Sequence, residues 1–502
     1  GVEMPNGTAH RTTAAHRTAP PGVVRDLENH FARFPDVPRE VVLKIELLSK
    51  GHWFTDAALA ATAGSMVKSY RLFSYDLIPM AEMKRNEAHL VPEWFYIFEG
   101  PYDLRAVMVQ TIMSPASPYV VDVVDGRLVL TAEGEILCNV GYPVEPAYYG
   151  RRFADGTRYH EIISFGYFVT VFRQCQYWGP KEECRFCDIN ENARQMKQSR
   201  DFTFAAPVKP VDQVAEVSRE ISREALAREG YQAPVSFLIT GGTITNVLRG
   251  KNENEFYADY VRALKFGGPR RHVALQTNAK TKEEMIWLRG EGLDAHHANM
   301  EVWDARLFEW INPGKARRIG RDEWVRRMYD SVDVLGEGNV RPNFVGGLEM
   351  ARPHGFTSIE DALASTTEGI ADMMRHGVDP RFNQWSREPN TDLVREHEQP
   401  PVPTEFYIRL MSNRYELWKK YGLRLPVPAN LGETARYFGI FHGTYDDFPL
   451  LMEAPWYQHP ERRTPEAIVQ AALRAEAPRR VSIHGPADAD GAAARVEAAA
   501  PA

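Results

Sequence analysis

The stretch "RQCQYWGPKEECRFCDIN", residues 173–190, holds Cys175, Cys184 and Cys187, three of only four cysteines in 502 residues. So few thiols in so long a chain cannot build a disulfide scaffold, and three gathered in one polar loop point to metal or redox chemistry. The C-x8-C-x2-C spacing offers three thiolates from a single loop, the last two close enough to grip one ion or cluster. A structural zinc site wants four protein ligands. The fourth here would be Cys138, His160 or Asp188, none of which brings a paired knuckle on a second side. Three thiolates without a fourth suit a four-iron four-sulfur (4Fe-4S) cluster, normally held by four cysteines, with one iron left open to an exogenous ligand. Simple burial of unreactive cysteines fits less well, because Gly179, Pro180 and several charges lie between Cys175 and Arg185.

The rest of the chain has to carry that loop. Hydrophobic content of 44% with 25% charged residues is that of a soluble globular protein, and the length suggests about two or three domains. A net charge of -7 without a long basic run argues against nucleic acid as the main partner. There is no uncharged apolar window of about eighteen residues and no basic patch leading into an apolar core. Neither a membrane span nor a secretory signal is therefore expected, and the cytoplasm is the default location.

Residues 1–21 mix Ala, Thr, Pro, Gly and His without periodicity and read as a disordered tail. Residues 22–150 read as an N-terminal α+β accessory domain. Its first part, to residue 68, is helical, with Val41, Val42, Ile45 and Leu48 at helical spacing before Gly51. Its second part, about 93–149, turns to period two, with Asp125-Gly126 and Glu133-Gly134 between β-rich runs, and predicts an antiparallel sheet. Beyond residue 160 six apolar runs alternate with charged helical stretches: "IISFGYFVTVF", "PVSFLITGG", "HVALQTNA", "LDAHHANMEVW", "NVRPNFVGGLE" and "DPRFNQWSRE". Six β/α units over 151–400 predict an α/β fold, a parallel sheet curled into a partial (β/α)6 TIM-type barrel whose chemistry lies where the strands end. The cysteine loop follows the first of these strands, at that end. Residues 401–463 form a C-terminal helical extension in which Tyr407, Met411, Tyr415 and Trp418 mark one buried face, and 464–502 an Ala-rich tail.

Cys175, Cys184 and Cys187, with Phe186 just before the last of them, resemble the cluster loop of the radical S-adenosylmethionine enzymes. That superfamily places three cysteines after the first strand of a partial (β/α)6 barrel. Its commonest first gap is three residues, and the gap of eight here is a variant loop. "LITGGT", with Thr240, Gly241, Gly242 and Thr243, resembles the Gly-Gly-Glu motif whose carbonyls take the methionyl ammonium; Thr243 stands where glutamate is common. In "HHANMEVWD", Asn299 and Glu301 share one side of a strand and are similar to the Asn-x-Asp pair that binds the cofactor's ribose. The resemblance assigns Arg321, with Arg317 and Arg318 as alternates, to the methionyl carboxylate, a role that suits a guanidinium. Gly346, Gly347 and Glu349 resemble the glycine-rich stretch beside adenine, and Pro389 and Thr391 the closing Pro-x-Gly-Thr pattern, with Asn390 in place of glycine.

The resemblance implies a 4Fe-4S cluster and S-adenosylmethionine as cofactors, and a small-molecule substrate. It also implies an electron donor such as flavodoxin or ferredoxin, with no nucleic-acid or membrane partner. Reductive cleavage of the sulfonium would give methionine and a 5'-deoxyadenosyl radical that abstracts hydrogen from the substrate, in an oxygen-sensitive site. The nearest branch is that of biotin synthase and tyrosine lyase. A second cluster is disfavoured because only Cys138 remains, and "DAHHAN", with Asp294 and His296, lies inside the barrel, unlike a cobalamin-binding domain. His296 and His297 read as substrate-side or packing residues, and Tyr177, Trp178, Gln276, Asn278, His354 and Gln384 as candidate substrate groups near strand ends. Two rivals stay open: transfer of the aminocarboxypropyl group from the same cofactor, and a zinc-stabilised binding protein.

Overall fold

The computed structural model describes residues 11–12, 15–68, 75–78, 83–84, 91–164, 166–198, 207–226, 235–422 and 442–453. The N-terminal sheet is organised by its turns. Asp125 and Gly126 take φ of 51° and 76°, and Glu133 and Gly134 take 52° and 77°, the paired left-handed conformations that tight hairpins need. They join β4 (Tyr119–Val124), β5 (Arg127–Ala132) and β6 (Glu135–Gly141). With β1 (Trp53–Phe54), β2 (Trp94–Glu99) and β3 (Leu104–Gln110) these form one sheet of order β1-β4-β5-β6-β2-β3. It is not wholly antiparallel: β1, from the segment read as helical, pairs with β4 in parallel. A further difference concerns residues 1–21. Within that segment His16 bonds the Ser117 carbonyl at 2.8 Å and the Arg17 N–H donates to the Pro115 carbonyl at 2.8 Å, so residues 15–17 dock on the sheet's connecting loop. The apolar pattern of a core is missing there, but backbone partners supply the anchor. Residues 464–502 lie outside the described residues.

Helix α1 (Val23–Arg33) buries only Val23 and Leu27, whereas α2 (Arg39–Lys50) is buried almost all round. Its apolar residues Val41, Val42, Ile45 and Leu48 are joined in the interior by Lys44 and Glu46. Buried charges require partners. Lys44 Nζ lies 2.6 Å from Asp447 Oδ2, and Glu46 accepts hydrogen bonds from Tyr119 at 2.8 Å and from Thr404. The helix ends at Gly51, where φ is 66° and an added Cβ would sit 2.7 Å from Ser114 Cβ.

All six runs read as strands are strands: β7 (Phe168–Phe172), β8 (Val235–Gly241), β9 (Arg271–Gln276), β10 (Ala295–His297), β11 (Asn343–Gly346) and β12 (Arg381–Gln384). β7 to β10 form a parallel sheet in chain order, and β11 and β12 a parallel pair. Parallel bridges His296–Val340 and Glu301–Phe344 link the two groups. The fourth run gives a strand of only three residues. Beyond it Glu301 takes φ of 70°, a left-handed conformation that interrupts regular pairing.

Outside the strands run α3 (Ile189–Gln198), α4 (Val211–Leu226), α5 (Glu253–Lys265), α6 (Lys282–Gly290), α7 (Ala305–Ile311), α8 (Pro313–Arg318), α9 (Arg321–Leu335) and α10 (Ile359–Arg375). Then come α11 (Thr404–Tyr421) and α12 (Asp447–Glu453). Tyr407, Met411, Tyr415 and Trp418 are buried, as the spacing predicts. Among the described residues no helix is long and apolar enough to cross a membrane.

Because Lys44 and Asp447 are both enclosed, Lys44→Met strands a carboxylate in the interior and is expected to cost roughly 3–5 kcal/mol in chemical denaturation. Most of that loss should return in the Lys44→Met/Asp447→Leu double variant.

Candidate active site

Parallel strands expose their last residues and the loops that follow at one end, so the site is assembled from those loops. The cysteine loop leaves β7 and is fastened to the end of β8. The Gly242 N–H donates to the Phe172 carbonyl at 3.0 Å, and Gln176 N–H to the Thr243 carbonyl at 2.8 Å. A Cβ on Gly242 would fall 1.7 Å from the Gln174 carbonyl oxygen and 2.5 Å from Cys175 Cα, so only glycine allows the approach. Gln176 Oε1 accepts the N–H groups of Thr245 and Asn246, at 2.9 and 3.1 Å. From the other side Asn190, at the start of α3, accepts the Cys175 N–H at 3.0 Å and donates to the Tyr177 carbonyl at 2.8 Å. The Cys187 N–H closes a turn on the Cys184 carbonyl at 3.2 Å.

Burial raises all three thiols. Cys184 is pushed up to about 12 while Lys315 pulls it down, Cys187 is raised further by Asp188, and the Thr243 N–H moderates Cys175 from 3.2 Å. Cys175 also raises Cys184, and both of them raise Cys187. Each cysteine nevertheless keeps part of its surface accessible, as the wall of a cavity does. Among the described residues no group of three His, Cys, Asp or Glu side chains could hold a metal ion as placed. What the loop does offer is three thiols, a backbone donor on the Cys175 sulfur and a cation that lowers Cys184, features of the kind that tune a cluster's potential. Cys138 takes no part; it is fully buried in β6, where burial raises its thiol, and it lies opposite Leu130.

That cation is Lys315, at the start of α8. It lies 3.2 Å from Glu301 Oε1 and donates to the Asn299 carbonyl at 2.7 Å. Burial opposes its charge, but Glu301, Cys184 and Cys175 outweigh that effect and raise its pKa. Burial likewise raises Glu301, against the pull of Lys315. The structure thus joins Thr243 to Cys175, and Asn299 and Glu301 to a lysine that the sequence reading overlooked. "PGKARR" reads as a solvated helix start, and only the fold turns its lysine inward.

Other expected residues lie elsewhere or face other partners. Arg321 stacks on Trp303 at 4.3 Å and donates to its carbonyl at 2.8 Å. Arg317 and Arg318 both pair with Glu182 in the cysteine loop, Arg318 at 3.0 Å. Thr240 bonds Thr170 at 3.0 Å, and a Cβ on Gly241 would lie 2.4 Å from the Tyr257 hydroxyl. Phe186 packs against the core. Gly347 has φ of 109°, and a Cβ there would meet the Tyr407 hydroxyl at 2.4 Å, whereas Gly346 meets nothing closer than 3.4 Å. Of the candidate substrate groups, Tyr177 donates to Asn278 at 3.1 Å, Trp178 lies exposed under Arg194, and Gln384 turns to the Ile45 carbonyl in α2 at 3.1 Å. The buried His296 bonds Thr277 at 2.8 Å. Asn390 bonds Asn192 in α3 at 3.1 Å, and Thr391 the Glu388 carbonyl at 2.8 Å.

No protein-family profile matches the chain. A bacteriochlorophyllide c C-7(1)-hydroxylase of Chlorobaculum limnaeum is 24% identical over 147 residues, covering 29% of this chain and 33% of that protein. The chain thus matches about a third of the length of this curated relative. Among solved structures, the FeFe-hydrogenase maturase HydG from Carboxydothermus hydrogenoformans aligns with a TM-score of 0.33 and 11% identity over 51% of this chain and 54% of that one. Coproporphyrinogen III oxidase (HemN) from Escherichia coli, a radical SAM enzyme, aligns with a TM-score of 0.30 and 10% identity, over 51% and 52%.

Two measurements probe this geometry. Gly242→Ala should reduce the iron retained after anaerobic reconstitution several-fold, with far-ultraviolet circular dichroism unchanged, because the new methyl group displaces the loop that carries Cys175. Glu349, at the end of β11, is fully buried; burial lifts its carboxyl to about 7 from an ordinary 4.5. Its folded value exceeds its unfolded one, so its stabilising contribution is complete below about 4.5 and disappears as pH rises through about 7. Between about pH 5 and pH 8 the wild type should lose roughly 2–3 kcal/mol relative to Glu349→Gln in denaturant titrations.

Proposed function

We propose that Cys175, Cys184 and Cys187 hold a 4Fe-4S cluster at which S-adenosylmethionine is cleaved reductively, and that the resulting radical abstracts hydrogen from a small molecule bound at the mouth of the parallel strands. The observation that supports this reading is a loop of three cysteines at the end of the first parallel strand, fastened to the end of the second by the Thr243 N–H on the Cys175 sulfur at 3.2 Å, with Lys315 lowering the Cys184 thiol. The cluster and cofactor supply one-electron cleavage of a carbon–sulfur bond and a carbon radical.

The chain's own residues do the rest. Cluster loading removes the thiol protons that burial retains. Lys315 offsets part of the thiolate charge and offers an ammonium to the methionyl carboxylate, a role for which Arg321 is the alternative. Asn299 and Glu301 serve the ribose, and the carbonyls of Thr240 and Gly241 the methionyl ammonium. Those of Gly242 and Thr243 each already accept a bond, from Tyr257 at 2.6 Å and Gln176 at 2.8 Å. Gly346, where an added Cβ would meet the Asn383 carbonyl only at 3.4 Å, borders adenine, and Gly347 and Phe186 shape the same wall. The six strands act as a partial (β/α)6 barrel over about 151–400, closed by the accessory domain of 22–150 and the extension of 401–463. An electron donor of the flavodoxin or ferredoxin class reduces the site. The hydroxylase relative's named activity changes a carbon–hydrogen bond, which agrees with hydrogen abstraction.

The test is anaerobic reconstitution with iron and sulfide, reduction, and mass spectrometry of the S-adenosylmethionine products. Wild type should yield 5'-deoxyadenosine, and Cys184→Ala neither cluster nor product. Methylthioadenosine in its place would mean aminocarboxypropyl transfer, and zinc without iron would overturn the reading.

A further inference from the structure

The exposed residues of the cysteine loop are Trp178, Pro180 and Lys181, all between its first two thiols. Trp178 is 48% exposed, unusual for a side chain that is highly buried on average. It stands three residues beyond Cys175, so their Cα atoms lie within about 11 Å of each other even if that stretch were fully extended. The indole is held in place. Arg194 of α3 lies over it, 4.3 Å from the ring centroid, and is fixed by two bonds of 2.8 Å to Glu183, which also accepts the Gly179 N–H at 3.1 Å. A second apolar side chain is tied to the same loop: Val247 is 52% exposed, and its carbonyl accepts the Gln176 amide at 2.9 Å.

The charges on this face leave a positive surplus. Glu182 and Glu183, the two carboxylates between the first two thiols, are both matched by arginines. Glu183 faces Arg194, and Glu182 takes both Arg317 and Arg318 from α8, whose Gly314 packs against Tyr177 and Glu182. Glu191 on α3 is likewise shared, between Arg194 and Arg395. Lys181 and Arg249 are exposed and pair with no carboxylate among the described residues. These two cations and one of the arginines on Glu182 are thus left over, on a chain whose net charge is -7.

An electron bound for the thiols has to cross the protein surface, and the loop that carries them offers the shortest way in. We propose that Trp178, with Val247, Lys181 and Arg249, forms the docking surface for a small acidic one-electron carrier protein of the flavodoxin or ferredoxin class; this rests on the function proposed above. One electron leaves the reduced carrier, which is oxidised by one equivalent, and enters the cluster through the loop; no atom is transferred. Desolvation of the indole supplies the short-range hold, and the stack with Arg194 means that little ordering is needed on contact. The surplus cations attract the carrier's carboxylates from a distance and raise the association rate at low salt. Elsewhere an anionic chain repels an acidic partner, so the positive surplus selects this face.

Two measurements on the full-length chain test the surface, each with two probes, a flavodoxin and a plant-type ferredoxin. In the first, the oxidised carrier is coupled to the chain with a carbodiimide, which joins a lysine amine to a carboxylate only where the two touch, and the linked peptides are mapped by mass spectrometry. Links to Lys181 should form with at least one carrier and fade as salt rises; links confined to other lysines, or none, overturn the assignment. In the second, the reconstituted cluster is reduced in a stopped-flow cell, either by the reduced carrier or by photoreduced deazaflavin, a small uncharged reductant. Trp178→Ser and Lys181→Glu should each slow reduction by the carrier about tenfold and leave reduction by deazaflavin unchanged. Trp287→Ser, which removes an exposed indole from α6, should match wild type in both. Equal carrier rates in wild type and Trp178→Ser overturn the surface while deazaflavin still reports a working cluster. A chain that holds no cluster overturns the parent reading, and this one with it.

Discussion

The close approach of Gly242 to Gln174 and Cys175 is the constraint on which the site depends. With no side chain between them, the end of the second parallel strand and the cysteine loop share hydrogen bonds as though they were one element. The Thr243 N–H reaches the Cys175 sulfur because the preceding residue has already brought the backbones together. Behind this contact Tyr257 holds the Gly242 carbonyl, and Glu253, paired with Lys280 at 2.6 Å, accepts the Ile244 N–H. The sulfur is thus positioned by a rigid helix, α5, through two layers of bonds.

Charge is the second organising theme. Groups that would be costly alone are buried together: Lys315 with Glu301, Lys280 with Glu253, and Lys68 with Asp76. Burial raises Asp188, and burial with Asp188 beside it pushes Glu388 well above the carboxylate range. Such pairs hold side chains in one arrangement at the expense of stability, which fits an end of the fold that must bind rather than merely pack.

What the sequence disclosed follows from range. The cysteine loop, the six strand runs and the hairpin turns depend on neighbours in the chain, and local pattern revealed them. Lys315 was hidden because its importance comes from what long-range folding sets beside it. Arg321 was favoured on chemical type, yet Trp303 lies next to it and takes its guanidinium. Gln384 was read towards the substrate, but on a strand alternate residues face opposite sides, and its side faces α2. The strand read over 293–303 proved short because Glu301 turns its carboxylate inward at the expense of regular pairing.

Helix α2 touches the N-terminal sheet, the last parallel strand and α11, and its Lys44 is locked to Asp447 near the far end of the described chain. Gln384, at the end of the last parallel strand, donates its side-chain amide to the Ile45 carbonyl and the Ser49 hydroxyl of that helix. The N-terminal region is therefore no portable module. Trimming it away to obtain a minimal catalytic fragment would open the wall of the last strand and expose a buried aspartate, and grafting it onto another barrel would carry an orphaned lysine along.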